Sequence, residues 1–193
     1  TLDYPNEITS VEATNNTALT YIQIPNTVTE IKGNTTRPPR KPNSAFYKCT
    51  SLVSVTLPDT ITSIGKQAFG YCTSLVSINI PNSVTEIDIS AFANCSALAS
   101  VTLPDSLTRI NRAIFYKCSS LSSINIPDGV TSIGNNAFKG CTSLRNVTLP
   151  DTITSIGEGS FGDCTSLVSI NIPNSVTSIG IYAFGGTALT SIT

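Results

Sequence analysis

Six cysteines follow one another at intervals of 23 residues, and no other feature constrains the fold of this chain so strongly. Seven phenylalanines and six prolines keep the same interval. The stretch VTLPDTITSIG occurs at 55–65 and again at 147–157, four periods apart, and the repeats alternate between VTLPD and INIPN or INIPD. A period of about 20 to 29 residues is typical of solenoids, in which each repeat forms one turn of a coil. The cysteines are Cys49, Cys72, Cys95, Cys118, Cys141 and Cys164, and the phenylalanines are Phe46, Phe69, Phe92, Phe115, Phe138, Phe161 and Phe184.

The first half of each repeat predicts a short strand. In LVSVTLP at 52–58, Val55 and Leu57 alternate with polar residues, which is typical of a strand with one buried face. Pro58 ends the strand because it has no N–H to donate, and the Asp or Asn that follows is a turn former. In the next segment, ITSIG, we expect Ile61 and Ile64 to point inward.

The second half of each repeat predicts how the chain turns back. The position of Gly65 holds only Gly, Asp or Asn, the residues that best tolerate a positive φ, so a left-handed bend is expected there. The pair Ala68 and Phe69 is expected to lie on a single helical or 3₁₀ turn that packs the ring inward. The bend residues are Gly65, Asp88, Asn111, Gly134, Gly157 and Gly180.

Stacking must bury the apolar face, because one repeat cannot do so alone. Adjacent repeats would lie about 4.8 Å apart on the strand side and form a parallel sheet. The sequence predicts nine strands in all, with Leu, Ile, Phe and Cys each forming a column through the core.

The repeat unit L-x-x-[VI]-x-[LI]-P-x-x-[VI]-T-x-I-G-x-x-A-F-x-x-C resembles the BspA-type leucine-rich repeat. The resemblance implies a leucine-rich repeat solenoid: a right-handed superhelix with a parallel β-sheet on its concave face and short helical or 3₁₀ turns on its convex side. Members of that family are mostly exported or surface-attached, in bacteria of host-associated communities and in some protozoan parasites, and several are implicated in adhesion to host or matrix proteins. An extracellular or cell-surface location and an adhesive role are what the resemblance implies.

We expect a single domain over residues 1–193. Residues 1–48 read as irregular N-terminal repeats with an insertion at 33–44, residues 49–186 as six regular repeats, and residues 187–193 as a truncated last repeat. Neither end has an evident polar cap, so we expect the natural protein to continue in one or both directions.

The cysteine spacing argues against a disulfide framework. Cysteines at one position of successive repeats point the same way, whereas a disulfide needs Cβ atoms turned toward each other at about 3.8 Å. We therefore predict buried, reduced thiols that act as small hydrophobic residues.

The composition excludes several classes of function. The chain has no histidine, the commonest general base near neutral pH and the commonest metal ligand. Its net charge of −1 gives no basic excess for nucleic acid, and no apolar run approaches the roughly 18 residues of a membrane-spanning helix. We predict no enzyme activity, no cofactor and no metal site.

Acidic residues at one turn position leave two alternatives open. Asp105, Asp128 and Asp151 fall on consecutive repeats, and stacked carboxylates could serve a retaining glycosidase or a weak Ca²⁺ site. Asn82 and Asn174 replace Asp at the same position, which favours the simple role of turn former.

The exposed face of the strands is the first candidate binding surface. It is polar and alternates between Thr and Asn from one repeat to the next. Leucine-rich repeats commonly bind partners on such a sheet, although anchors of the Trp, Tyr or Arg type are confined to Tyr21. A solvated face that only keeps the sheet soluble is the competing interpretation. The candidate residues are Tyr21, Gln23, Thr56, Asn79, Thr102, Asn125, Thr148 and Asn171.

The insertion is the second candidate. Arg37, Arg40 and Lys41 place three positive charges on a proline-stiffened segment that could dock on a sulfated glycan or an acidic protein patch. A tolerated loop insertion without function is the alternative. Variable residues around the Ala-Phe pair are a further place to look: Lys66, Gln67, Arg112, Tyr116, Lys117, Lys139, Glu158 and Tyr182.

These features favour a non-catalytic, exported or surface binding module whose ligand is a protein or a glycan. A spacer solenoid on the cell surface is the alternative. A carbohydrate-active solenoid enzyme is disfavoured, because clustered acids or histidines on the strand face are absent from the sequence.

Overall fold

A computed structural model describes residues 13–33 and 44–192, which form a parallel β-solenoid of about six turns. A regular turn, called a rung here, spans one 23-residue repeat, and the turn that holds the insertion is ten residues longer, since Tyr21 pairs with Ser54. In a complete rung the chain runs through a strand, a proline turn, a second short strand and a series of tight turns that ends at the cysteine. The predicted parallel solenoid is confirmed.

The first column of strands lies where the L-x-x-[VI]-x-[LI] pattern predicts it. In Ser54–Thr56 the central Val55 is buried while both neighbours are exposed, as period-2 alternation requires. The column comprises β1 (Tyr21–Gln23), β3 (Ser54–Thr56), β5 (Ser77–Asn79), β7 (Ser100–Thr102), β8 (Ser123–Asn125), β10 (Asn146–Thr148), β12 (Ser169–Ile170) and β14 (Ser191–Ile192).

Strands of the first column pair two by two. β1 pairs with β3, β5 with β7, β8 with β10 and β12 with β14, all parallel. Within the described residues no ladder joins one pair to the next. From β5 onward each pair starts at an INIP-type rung, so the pairing has the 46-residue period of the alternating sequence.

A second column of strands was not predicted. The ITSI segments, expected only to point two isoleucines inward, form β2 (Glu30–Ile31), β4 (Ser63–Ile64), β6 (Glu86–Ile87), β9 (Ser132–Ile133), β11 (Ser155–Ile156) and β13 (Ser178–Ile179). The described residues therefore hold fourteen strands, and the expected nine was too low. Pairing in this column follows β2-β4-β6 and β9-β11-β13.

The second column is interrupted at the rung of Ile110, which makes only an isolated bridge to Ile133. In that rung the bend position holds Asn111, whose Nδ2 donates to the carbonyl oxygen of Ile87 at 2.7 Å. The side-chain amide of Asn111 thus takes the place of the backbone N–H, which at the equivalent bends, Asp88 and Gly134, donates to the corresponding carbonyl of the preceding rung.

The predicted helical or 3₁₀ turns are absent from the described residues, and that part of the fold prediction is wrong. N–H groups of Ala68, Gly70 and Cys72 bond to the carbonyl three residues earlier. The intervening N–H groups of Gln67, Phe69 and Tyr71 donate instead to the next rung. A helix would need all of these donors within the segment, whereas stacking diverts every second one.

The left-handed residues also differ from the prediction. Positive φ occurs at Gln67 (57°) and Tyr71 (62°) and at the equivalent positions of other rungs, not at Gly65. The glycine is there for lack of room, because a Cβ on Gly65 would lie 2.3 Å from the backbone nitrogen of Gly33. The glycines at this position therefore serve close backbone approach rather than a positive φ, which is why the expected left-handed bend was assigned to the wrong residue.

The core consists of columns, as predicted. Ring centroids of successive phenylalanines stack 5.1–5.7 Å apart from Phe46 to Phe184. All six cysteines are buried and free, which confirms the reduced-thiol prediction. Each thiol donates to a carbonyl of the preceding rung; Cys95 Sγ, for example, lies 3.1 Å from the oxygen of Phe69.

Candidate functional site

The strand face carries every strand residue named as a binding candidate, and all of them are exposed. The side chains of Tyr21, Gln23, Thr56, Asn79, Thr102, Asn125, Thr148 and Asn171 lie on this surface, at or next to the first column of strands. Register places Gln23 against Thr56 and Asn79 against Thr102 on neighbouring rungs. Because the strands are parallel, the structure aligns these side chains into one polar row.

The chemistry of this row is uniform. Hydroxyl and amide groups can donate and accept hydrogen bonds, and charge is absent from the row. Tyr21 supplies its only aromatic ring among the candidates and is 37% exposed. Its hydroxyl lies 3.5 Å from Oε1 of Gln23, so the two polar ends of β1 lie together on the surface.

The basic candidates of the insertion, Arg37, Arg40 and Lys41, lie outside the described residues. Lys32 and Ser44 flank that segment, and Ala45 N donates to the carbonyl oxygen of Lys32 at 3.0 Å. The two ends of the insertion therefore meet at the same rung, and the binding role of the loop stays a prediction.

The turn aspartates Asp105, Asp128 and Asp151 are exposed. Asn82 Oδ1 accepts a hydrogen bond from the N–H of Asp105 at 3.4 Å, which is the behaviour of a turn former linking two rungs. Across the described part of the chain, His, Cys, Asp and Glu form no cluster of three or more that could hold a metal ion.

The cysteine column holds protonated thiols. Burial raises the pKa of Cys95 and of Cys164 to about 12 and that of Cys49 to about 11. A thiol acts as nucleophile or metal ligand only as the thiolate, so these groups are chemically inert at neutral pH.

A groove that the sequence did not single out follows the cysteine column along the edge of the solenoid. Its volume is about 610 Å³, and two columns of side chains line it, one just before and one just after the buried cysteines. We call it the edge groove. The column before the cysteines is Tyr71, Asn94, Lys117, Gly140 and Asp163; the column after them is Thr73, Ser96, Ser119 and Thr142.

The hydroxyl column of the edge groove is ordered by hydrogen bonds between rungs. Each hydroxyl donates to the carbonyl of the equivalent residue one rung earlier, as Ser119 does to Ser96 at 3.2 Å. The protons of these hydroxyl groups are thus engaged in hydrogen bonds between rungs, and the hydroxyl oxygens face the groove as acceptors.

Tyr47 and Lys48 lie against Tyr71, the lining residue at the N-terminal end of the edge groove. The rings of Tyr47 and Tyr71 meet edge to face, with centroids 5.6 Å apart. Lys48 Nζ lies 5.6 Å from the Tyr47 centroid and 5.8 Å from that of Tyr71, within cation–π range of both. Burial, and then the neighbouring Tyr71, raises the pKa of Tyr47, so its phenol stays neutral.

Charged groups continue along the edge groove. Lys117 Nζ lies 5.4 Å above the ring of Tyr116, and Lys139 forms an ion pair of 3.9 Å with Asp163 at the far end. Lys117 and Lys139 were named from the sequence among the variable residues near the Ala-Phe pair, whereas Tyr71 and Asn94 were not. Tyr71 and Asn94 occupy the variable position directly before a repeated cysteine, and that position was the only sequence feature that pointed to them.

None of the described segments forms a helix with the length and hydrophobicity that crossing a bilayer requires.

Comparison with known proteins identifies the repeats. The family model described as BspA type leucine rich repeat region matches in six copies, over residues 41–150 and 131–193. No curated protein matches the sequence.

Solved structures show the same architecture. A leucine-rich repeat protein from Bacteroides ovatus is 31% identical, with a TM-score of 0.86 over 98% of this chain and 47% of that one. A leucine rich cell surface protein from Faecalibacterium prausnitzii is 38% identical, with a TM-score of 0.75 over 90% of this chain and 47% of that one. The leucine-rich repeat protein of T. pallidum is 34% identical, with a TM-score of 0.78 over 87% and 76%. The chain spans about half the length of the first two.

Proposed function

Because this chain belongs to the family of BspA-type leucine-rich repeat proteins, we propose that it is a non-catalytic binding module. It acts outside the cell or on the cell surface and adheres to a host or matrix protein or to a glycan. The observation that carries the proposal is the row of exposed polar side chains on the strand face.

Rigid placement supports binding by this row. Val55, Ile78 and Ile124 lie between exposed neighbours and anchor their strands in the core. Thr and Asn side chains are short, so fixing them against a ligand costs less entropy than fixing Lys or Arg. An array of this kind offers many weak hydrogen bonds over a large area, which suits a repetitive surface or an extended chain.

The basic insertion extends this proposal. Arg37, Arg40 and Lys41 would add attraction for an anionic partner, with β1 and its Tyr21 and Gln23 in the rung that precedes the insertion. A surface location draws support from the F. prausnitzii relative, which is described as a cell surface protein.

A spacer on the cell surface is the second candidate. It is favoured by the monotony of the strand face, since interface anchors are typically Trp, Tyr or Arg and the row offers Tyr21 alone. A spacer needs only a stiff, soluble rod.

Binding assays separate the two candidates. The purified chain would be tested on matrix proteins, mucins and a glycan array, together with Arg37→Ala/Arg40→Ala/Lys41→Ala. A strand-face variant, Asn79→Ala/Thr102→Ala/Asn125→Ala, addresses the row itself, and Asp59→Ala/Glu86→Ala is a control with exposed changes outside the candidate surfaces.

A binding module predicts a ligand whose signal falls in the strand-face or loop variant and persists in the control. If the chain binds none of the matrix proteins, mucins or glycans, the adhesive role is wrong for this chain and the spacer is favoured.

A further inference from the structure

We propose that the edge groove is a second, separate binding site and that it takes an acidic oligosaccharide. Tyr71 provides the stacking surface and Lys117 the contact to the acidic group. None of the residues that line the edge groove belongs to the strand face. Binding in the groove can therefore be tested separately from the role proposed above.

The shape of the edge groove fits an extended chain. It is lined from Tyr71 to Asp163, across five rungs, and rungs lie about 4.8 Å apart. The lining therefore runs for about 19 Å along the solenoid, which is longer than a single sugar needs and suits several linked units.

Side chains line the edge groove at positions where the backbone favours glycine. The φ angles of Tyr71, Asn94 and Lys117 are 62°, 62° and 57°, and such values are disfavoured for residues with a Cβ. Gly140 shows that glycine is accepted in the same column. The turn itself sets this backbone, because Ser90 and Ala113 adopt it outside the groove; what distinguishes the groove is that three consecutive rungs carry Tyr, Asn and Lys there.

The polar groups match a ligand rich in hydroxyls. Oxygens of Ser96 and Ser119 are available as acceptors because their protons already bond to the preceding rung. Asn94 offers both a donor and an acceptor from its amide. Beside them, the 39%-exposed ring of Tyr71 is held by its edge-to-face contact with Tyr47, which gives a sugar ring a fixed apolar surface.

The charges select an acidic oligosaccharide. Lys117 lines the middle of the edge groove, and Lys48 lies over the ring of Tyr71 at its end. Neither lysine has an ion-pair partner among the described residues, whereas Asp163 is paired with Lys139. Carboxylate or sulfate groups on the ligand would complement those two lysines. Nucleic acid would require more cations than these.

Calorimetry on the full chain tests the site. The probes are a hyaluronan octasaccharide, which alternates glucuronate with an N-acetylated sugar, the neutral cellohexaose, and a polyglutamate peptide. The variants are Tyr71→Asn and Lys117→Asn, since Asn94 shows that asparagine adopts this backbone. Tyr182→Asn and Lys66→Asn remove the same side chains elsewhere, and Tyr71→Phe and Lys117→Gln are milder versions.

We expect the octasaccharide to bind at least tenfold more tightly than cellohexaose. Affinity should fall at least tenfold in Tyr71→Asn, Lys117→Asn and Lys117→Gln, and stay within twofold in Tyr71→Phe and both controls. Three results would overturn the proposal. The first is that the octasaccharide does not bind. The second is that its binding is lost in Asn79→Ala/Thr102→Ala/Asn125→Ala and not in the groove variants. The third is that polyglutamate binds with the same dependence on Tyr71 and Lys117, which would identify an acidic peptide as the occupant.

Discussion

The thiol of Cys72 donates a hydrogen bond to the carbonyl oxygen of Phe46, with Sγ and O 3.1 Å apart. That oxygen also accepts from the N–H of Cys49 at 3.1 Å, so the thiol occupies the second lone pair of a buried carbonyl. The arrangement recurs in the next rungs, from Cys95 to Cys164. Cysteine thus serves both as a small apolar side chain and as the donor that ties one rung to the preceding one.

Stability should fall as the pH rises above about 9. Burial raises the pKa of Cys95 to about 12 from an ordinary value of 9.0. Between these two values the unfolded chain has lost the proton and the folded chain keeps it, so unfolding is favoured by about 1.4 kcal/mol per thiol per pH unit. Urea unfolding of the wild type and Cys95→Ala between pH 9.5 and 11 measures this, with a shallower slope expected for the variant. Equal slopes would contradict it.

The six thiols should react slowly with a thiol reagent in the native state and all be free after denaturation. Access is closed because each is fully buried, and the raised pKa values leave little thiolate. Thr187→Cys is the matched control, because position 187 is the half-buried cysteine position of the last rung and should react faster. Finding oxidised cysteines in the purified chain would refute the thiol column.

Truncation of Phe115 should lower the free energy of unfolding by about 3–5 kcal/mol. Its buried ring stacks between Phe92 and Phe138 at 5.7 and 5.6 Å, and Phe115→Ala opens a cavity within the column. Phe184→Ala is the comparison, because that ring is half-buried and stacks on Phe161 alone among the described residues. Chemical denaturation should show the smaller loss for Phe184; equal losses would speak against the stacked core.

Ser160→Ala should stabilise the chain by about 1 kcal/mol. Ser160 is fully buried in the Ala position of its rung, and its hydroxyl has no hydrogen-bond partner among the described atoms. Ser44→Ala should do the opposite, since the Oγ of Ser44 donates to the carbonyl of Lys66 at 2.9 Å. Thermal melts of both variants check the sign, and a loss of stability in Ser160→Ala would show that its hydroxyl is satisfied.

Gly157→Ala should destabilise the solenoid by about 1–3 kcal/mol. The added Cβ would lie 2.7 Å from backbone atoms of Gly134 and Asn135, so the rungs must move apart. Asp88→Ala is the control at the same position of another rung, where a Cβ is already accommodated; it removes only the bond from Ile89 N. A neutral effect of Gly157→Ala in urea unfolding would mean that the rungs are not held this close.

The candidate sites were predictable to different degrees. The strand face followed from period 2 within the repeat, because alternate residues of a strand point to opposite faces. The edge groove did not, since Tyr47 and Tyr71 are 24 residues apart and meet only because stacking brings neighbouring rungs together. Nothing in the repeat consensus marks the variable position before each cysteine as a shared surface.

The sequence by itself determined the register of the solenoid and its core. A residue repeated every 23 positions must occupy the same environment in every rung, so Cys, Phe and Leu form columns whatever the details of the turns. Only the tertiary structure decided the path between those columns. The second strand column, the shift of positive φ from Gly65 to Gln67 and Tyr71, and the edge groove all arise from hydrogen bonds and contacts between rungs. In the turns every second backbone N–H finds its acceptor in the neighbouring rung, so the sequence of a single repeat does not specify that acceptor.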